Sequence, residues 1–173
     1  ISDNYVYSMC VDHQNSLWVC TLNGGLEKLS SDGKTFIHYR DMNLNMPFLG
    51  VRSVFEDSKH TIWVVTSHDG LYKREKGASL FEKVLLENKG VSSVFISALT
   101  NVNEDTKGNI WISSNTGGLA VYNEKNGVLK LYRDDDKNDH PLCGNSIEFI
   151  TRDRYGNMWL ASHGAGVCLY SPL

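Results

Sequence analysis

Apolar residues recur in this chain as short runs around a tryptophan: Leu17-Trp18-Val19, Ile62-Trp63-Val64, Ile110-Trp111-Ile112 and Met158-Trp159-Leu160. Apolar side chains on both sides of each Trp place both faces of a strand in a core, as sheets stacked face to face require. The tryptophans stand 45, 48 and 48 residues apart. An Asp lies six residues before each (Asp12, Asp57, Asp105, Asp153) and a Gly seven after it (Gly25, Gly70, Gly118, Gly166). Repeats of this length are propeller blades or solenoid units.

The pattern predicts four strands per repeat. Strand A carries apolar residues six and three places before the Asp: Val6 and Met9, Val51 and Val54, Leu99 and Val102, Ile147 and Ile150. A polar turn follows, which the Asp side chain closes by accepting from backbone N–H groups just ahead of it. Three residues after the Asp stand Asn15, His60, Gly108 and Gly156. Glycine and asparagine suit a positive φ there, and His60 suits it less. Strand B holds the Trp and ends on a hydroxyl (Thr21, Thr66, Ser114, Ser162) before a Gly-rich turn. Strand C starts at Leu26, Leu71, Leu119 and Val167, and strand D carries Phe36 and Tyr39, Phe81 and Val84, Leu129 and Tyr132. The fourth repeat has no counterpart of strand D. No segment sustains a capped 3.6-residue period, which disfavours a helical solenoid, and no Trp is followed by Asp, which disfavours a WD40 array. The expected fold is all-β: β-propeller blades of four antiparallel strands. They span about 1–46, 47–90, 91–142 and 143–173 of a single propeller segment, and the last lacks its outer strand.

Composition narrows the function classes. A net charge of −3 over 173 residues argues against nucleic acid, which needs a concentrated basic surface. No run of eighteen apolar residues exists, so this segment has no membrane-spanning helix of its own. The four cysteines, Cys10, Cys20, Cys143 and Cys168, show no CxxC spacing for zinc or redox chemistry. Cys10 and Cys20 stand on neighbouring predicted strands, but the expectation is four free thiols acting as small hydrophobes.

The stretches Asp105–Ser114 and Asp153–Ser162 share the form Asp-x-x-Gly-Asn-(Ile/Met)-Trp-(Ile/Leu)-x-Ser. With the Gly-Leu after each of the first three tryptophans, the aromatic strand D and the lead Leu142-Cys143-Gly144-Asn145-Ser146-Ile147, this resembles the two-component regulator propeller repeat. The resemblance implies a periplasmic sensor region of a Bacteroides-type hybrid two-component system. In that family, long arrays form seven-bladed propellers, followed by a β-sandwich, an inner-membrane helix and a cytoplasmic kinase, and the ligands are oligosaccharides. Four repeats are fewer than one such ring, so a fragment of a larger propeller is expected.

In a blade running A to D, the B–C turns and D–A connections share one end, where propellers usually bind ligands. The turn residues Asn23, His68, Asp69, Asn115, Thr116 and His163, with Arg133 of a D–A connection, form the candidate oligosaccharide-binding set. Amides, hydroxyls, imidazoles and an Arg–Asp mixture match the donors and acceptors of a sugar. The competing reading is solvated turn residues placed for backbone reasons. The other D–A residues are Arg40, Asp41, Asp134, Asp135 and Asp136. Asp134–Asp139 is a poor calcium loop, with Asp139 and Asn145 where Gly and Glu belong.

No metal, cofactor or catalytic residue is expected. The periodic pairs Asp12/Trp18, Asp57/Trp63, Asp105/Trp111 and Asp153/Trp159 read as structure, since a catalytic group is needed once and a brace once per blade. The leading function is therefore a non-enzymatic sensor. The alternatives are a propeller enzyme resembling streptogramin lyase or lactonase, and a protein-interaction scaffold. The incomplete last blade and the uncovered faces of the end blades predict self-association, as a dimer.

Overall fold

The computed structural model describes residues 1–39, 50–86, 90–134 and 142–171. Each repeat forms its own antiparallel meander. The first contains β1 (Val6–Val11), β2 (Leu17–Thr21), β3 (Gly25–Leu29) and β4 (Phe36–His38). The second contains β5 (Val51–Glu56), β6 (Ile62–Thr66), β7 (Gly70–Arg74) and β8 (Glu82–Val84). One helical turn, α1 (Ser93–Ile96), precedes the third, which contains β9 (Leu99–Glu104), β10 (Ile110–Ser114), β11 (Gly118–Asn123) and β12 (Val128–Tyr132). The fourth has three strands, β13 (Ile147–Arg152), β14 (Met158–Ser162) and β15 (Gly166–Tyr170). The chain divides into two compact units, Ile1–Leu85 and Leu86–Leu173, of two blades each.

Each A–B turn is closed by its Asp. Asp12 Oδ1 accepts from the N–H groups of Gln14 and Ser16 at 2.9 and 2.8 Å, and Oδ2 accepts from the Trp18 indole at 2.9 Å. Asp57, Asp105 and Asp153 repeat all three bonds with Trp63, Trp111 and Trp159. The brace thus fixes the turn and also sets the rotamer of the Trp on strand B. Asn15 and His60 adopt φ of 60° and 65°, where the other two blades have Gly108 and Gly156.

The indole then fills the space between blades. In the first unit, Trp18 packs with Tyr39 against Val54, Ile62, Val64, Tyr72 and Phe81. In the second, Trp111 packs against Ile147, Ile150, Met158 and Leu160. Full burial of one large apolar side chain contributes about 1.5–3 kcal/mol, so these stripes dominate each unit's stability. Trp18, Trp63 and Trp111 are buried, but Trp159 remains 38% exposed. On β14 it shares a face with Phe149, Val167 and Leu169, all exposed. In the first unit, Met9 and Val11 of β1 are likewise exposed.

The expectation of four free thiols is corrected. Cys143 and Cys168 form a disulfide with a Cα–Cα distance of 6.2 Å, while Cys10 and Cys20 are free. Residues 25 apart in sequence meet in the fold, Cys168 lying on the face of β15 that packs toward Trp111 and Leu160 with Leu142 of the lead beside it, a juxtaposition no local spacing shows. Helix α1 is a second departure from pure β structure. Its Ser92 N-cap accepts from the Phe95 N–H.

Candidate functional site

The B–C end of each blade is built to a constant plan. The first N–H of each turn is held by the residue just before strand A: Leu22 by Tyr5, Ser67 by Gly50, Asn115 by Ala98 and His163 by Ser146, at 2.8–3.0 Å. The glycine seven residues after each Trp takes φ between 80° and 93° (Gly25, Gly70, Gly118, Gly166), which side-chain-bearing residues rarely adopt. The hydroxyl ending strand B ties off the turn: Thr21 and Thr66 donate to the carbonyls of Gly25 and Gly70. Ser114 Oγ instead accepts from Gly117 N–H, and Ser162 donates to the Ser146 carbonyl.

Strand A adds a bulge at the same end of every blade. The β1–β2 register passes from Val6↔Thr21 to Ser8↔Cys20 and leaves Tyr7 unpaired. The same skip leaves out Arg52, Thr100 and Glu148. A bulge re-aims its side chain and is common beside functional sites. The Arg52 guanidinium lies 4.3 Å from the Tyr7 ring centroid, and Thr100 donates to the Ile147 carbonyl at 2.5 Å. These four residues were not singled out from sequence. The only signal was their place, one after the first apolar residue of strand A, with a different chemical type in each blade.

Each expected site residue lies on this end of its blade. In the first unit, Gly50 donates to the Leu22 carbonyl at 2.7 Å and accepts from Ser67 N–H at 2.8 Å, linking the turns that carry Asn23 and His68. Asn23 and His68 are exposed. Asp69 is a brace within its blade: it accepts from the Tyr72 hydroxyl, and from Lys83 Nζ at 2.8 Å. Burial raises the Asp69 pKa, but the bonds from Lys83 and Tyr72 outweigh it and hold the carboxyl below the usual range. Burial, with Asp69 beside it, pushes the Tyr72 phenol up.

In the second unit, Gly118 N–H donates to the Asn145 carbonyl, and Asn145 and Asp134 clasp each other. This joins the Asn115–Gly118 turn to the connection that carries Arg133. Helix α1 rests on the same turn. Thr116 Oγ1 bonds the Val94 carbonyl at 3.4 Å, and Phe95 packs so closely on Gly117 that a Cβ there would sit 2.5 Å from its ring. Asn115 and His163 are exposed. Arg40, Asp41, Asp135 and Asp136, with the rest of the 135–139 acidic run, lie outside the described residues.

A second concavity, of about 350 Å³, opens in the second unit beside Trp111, Tyr132 and Tyr170, with Asn109, Asn123 and Lys130 at its rim. Its counterpart in the first unit is filled. There Phe81, just ahead of β8, packs edge-on against Trp18 and Tyr39 at 6.4 and 5.9 Å, and the Arg74 guanidinium lies 4.8 Å from the Trp18 ring centroid. Tyr170 occupies the register position of Arg74, since Met158 pairs Tyr170 as Ile62 pairs Arg74. No described residue of the fourth blade takes the place of Phe81.

The fold and turn chemistry define a β-propeller segment. Over 99% of its length the chain matches the extracellular domain of a putative hybrid two component system from B. thetaiotaomicron (TM-score 0.77, 19% identity). It matches the extracellular domain of a putative one component system from the same organism equally well (TM-score 0.77, 22% identity, 99% coverage). The chain spans only 24% and 23% of those two domains. Virginiamycin B lyase from Staphylococcus aureus also matches, with TM-score 0.66 and 14% identity, over 98% of this chain and 57% of the lyase. No curated protein matches the sequence. A family model described as two component regulator propeller matches residues 1–23 of the chain.

Proposed function

We propose that this chain is part of the ligand-sensing propeller of an extracytoplasmic two-component receptor and that it is not an enzyme. The observation that carries the reading lies at the B–C end of the blades. One backbone plan recurs four times and carries different side chains: Tyr7 with Asn23, Arg52 with His68, and Glu148 with His163, while the third blade presents Asn115 and keeps its bulge residue Thr100 buried. A constant frame with varied polar tips suits recognition of a ligand bearing many hydroxyls, so the proposed ligand class is an oligosaccharide. The repeat family and the match to extracellular sensor domains support the receptor assignment. The Cys143–Cys168 disulfide supports an oxidising compartment such as the periplasm.

The carboxylates that recur with the repeat act as turn braces, which leaves none of them available for general acid–base work. The structural match to virginiamycin B lyase favours a second reading, a lyase on the same frame. Glycan-array screening together with turnover assays separates the two. Saturable carbohydrate binding without turnover supports the sensor, whereas turnover of virginiamycin B or quinupristin establishes the lyase.

A further inference from the structure

At the opposite end of the first unit, the A–B turns of two blades bring together His13, Glu56 and His60. The Glu56 side chain is only 10% exposed. Its Oε2 accepts from the His13 backbone N–H at 2.7 Å, and its Oε1 lies 2.5 Å from His13 Nδ1 and 3.6 Å from His60 Nδ1. The two imidazoles stack with centroids 3.8 Å apart at 30°. One ligand atom from each of the three residues falls within 4.8 Å of the others. They line a cleft of about 80 Å³ that Arg74, Glu75 and Lys76 also border.

Two observations set this cluster apart from ordinary turn residues. First, it breaks the repeat. The positions of Glu56 in the other blades hold Val11, Glu104 and Arg152; those of His13 hold Ser58, Thr106 and Arg154; those of His60 hold Asn15, Gly108 and Gly156. A brace recurs with the fold, and this triad occurs once. Second, His60 occupies φ 65°, a conformation that favours glycine and asparagine. Backbone geometry alone therefore does not account for a histidine at that position.

The geometry points to a transition-metal site formed by His13, Glu56 and His60. Two imidazoles and one carboxylate, with a fourth position open to water, are the donor set of Zn²⁺ and of Cu²⁺ or Ni²⁺. Calcium and magnesium demand more oxygen ligands than the cluster offers. Tetrahedral zinc, with ligand bonds of about 2.0–2.1 Å, spaces its ligand atoms roughly 3.3 Å apart. The three donors lie within 4.8 Å of one another, and turning the stacked imidazoles out of their near-parallel arrangement would bring their in-plane lone pairs onto one ion. Arg74 does not contend for the carboxylate, because its guanidinium is stacked over the Trp18, Tyr39 and Phe81 rings. An ion here would clamp the two A–B turns together at the end away from the proposed sugar-binding turns.

The test is calorimetric titration of the tag-free chain with zinc sulfate, paired with thermal melts. The expected result is one ion per chain at micromolar affinity, a raised melting temperature, and no response to 1 mM calcium. His60→Asn keeps a residue suited to the positive φ, and His13→Ser places the residue that blade two has at that position. Each should weaken zinc binding at least tenfold while leaving the metal-free melting temperature within a few degrees of wild type. Absence of saturable zinc binding, or binding unchanged in both folded variants, overturns the site and leaves an ordinary imidazole–carboxylate pair.

Discussion

The Trp111 indole N–H donates to Asp105 Oδ2 at 2.9 Å, and the same indole is packed on Ile147, Ile150, Met158 and Leu160 of the following blade. One residue thus couples turn closure within a blade to packing between blades. Trp111→Ala should cost about 3–5 kcal/mol, as core aromatic truncations do. Trp159 keeps its Asp153 bond but is partly exposed, and Trp159→Ala should cost less than half as much. Urea denaturation of the two variants checks the order; equal losses would mean that packing between blades is not the source.

The braces also set an acid limit. The Trp159 indole, followed by the Asn157 side chain and backbone N–H groups, holds the Asp153 carboxyl down to about 2. Burial alone would raise Asp12 and Asp105, but bonds from Trp18 and Ser16, and from Asn109 and Trp111, outweigh it and lower both. A folded-state pKa below the unfolded value of about 3.9 contributes stability that is complete above that value. This stability is lost as the pH falls through the folded-state pKa. Urea midpoints should therefore hold from pH 7 to about 4 and drop steeply toward pH 2. Asp153→Asn should flatten that drop in part; an unchanged profile would remove the carboxylate from the account.

The disulfide predicts a defined thiol count. Denatured, unreduced protein should take up two equivalents of alkylating reagent, at Cys10 and Cys20, and four after reduction. Closing a loop of this length contributes about 3 kcal/mol through the unfolded chain. The double variant Cys143→Ser/Cys168→Ser should lose stability on that scale, and four reactive thiols before reduction would exclude the bond.

Much of the frame was legible in the sequence because it is local. The Asp brace, the Trp strand and the Gly of each B–C turn lie within fourteen residues, and three further copies remove the ambiguity of one. What was missed depends on residues distant in the chain. Cys143 meets Cys168 across two strands and two turns, and Glu56 meets His13 from another blade. Phe95 meets Gly117 only because α1 folds back over a turn. The bulges at Tyr7, Arg52, Thr100 and Glu148 leave no mark in hydropathy, since one skipped residue appears only in the pairing register. Asp69 was legible as a polar turn residue, but its engagement by Tyr72 and Lys83 was not.

The exposed apolar face of the fourth blade gives an association prediction. Phe149, Trp159, Val167 and Leu169 lie together beside the open edge of β15, and such surfaces drive pairing. Light scattering at micromolar concentration should show a concentration-dependent dimer. The double variant Val167→Lys/Leu169→Lys should shift it to monomer. A strictly monomeric wild type would show that these surfaces do not pair.

Recognition of an oligosaccharide by the B–C ends of the blades can be tested directly. The most direct measurement is calorimetric titration of wild type, His68→Ala and Asn115→Ala with oligosaccharides found by array screening. Both substituted side chains are exposed, so both variants should melt within about a degree of wild type, in line with the small effects of surface substitutions. Wild type should bind saturably, with a several-fold loss of affinity in at least one variant. No saturable binding to any oligosaccharide, or equal affinity in all three proteins, would contradict it.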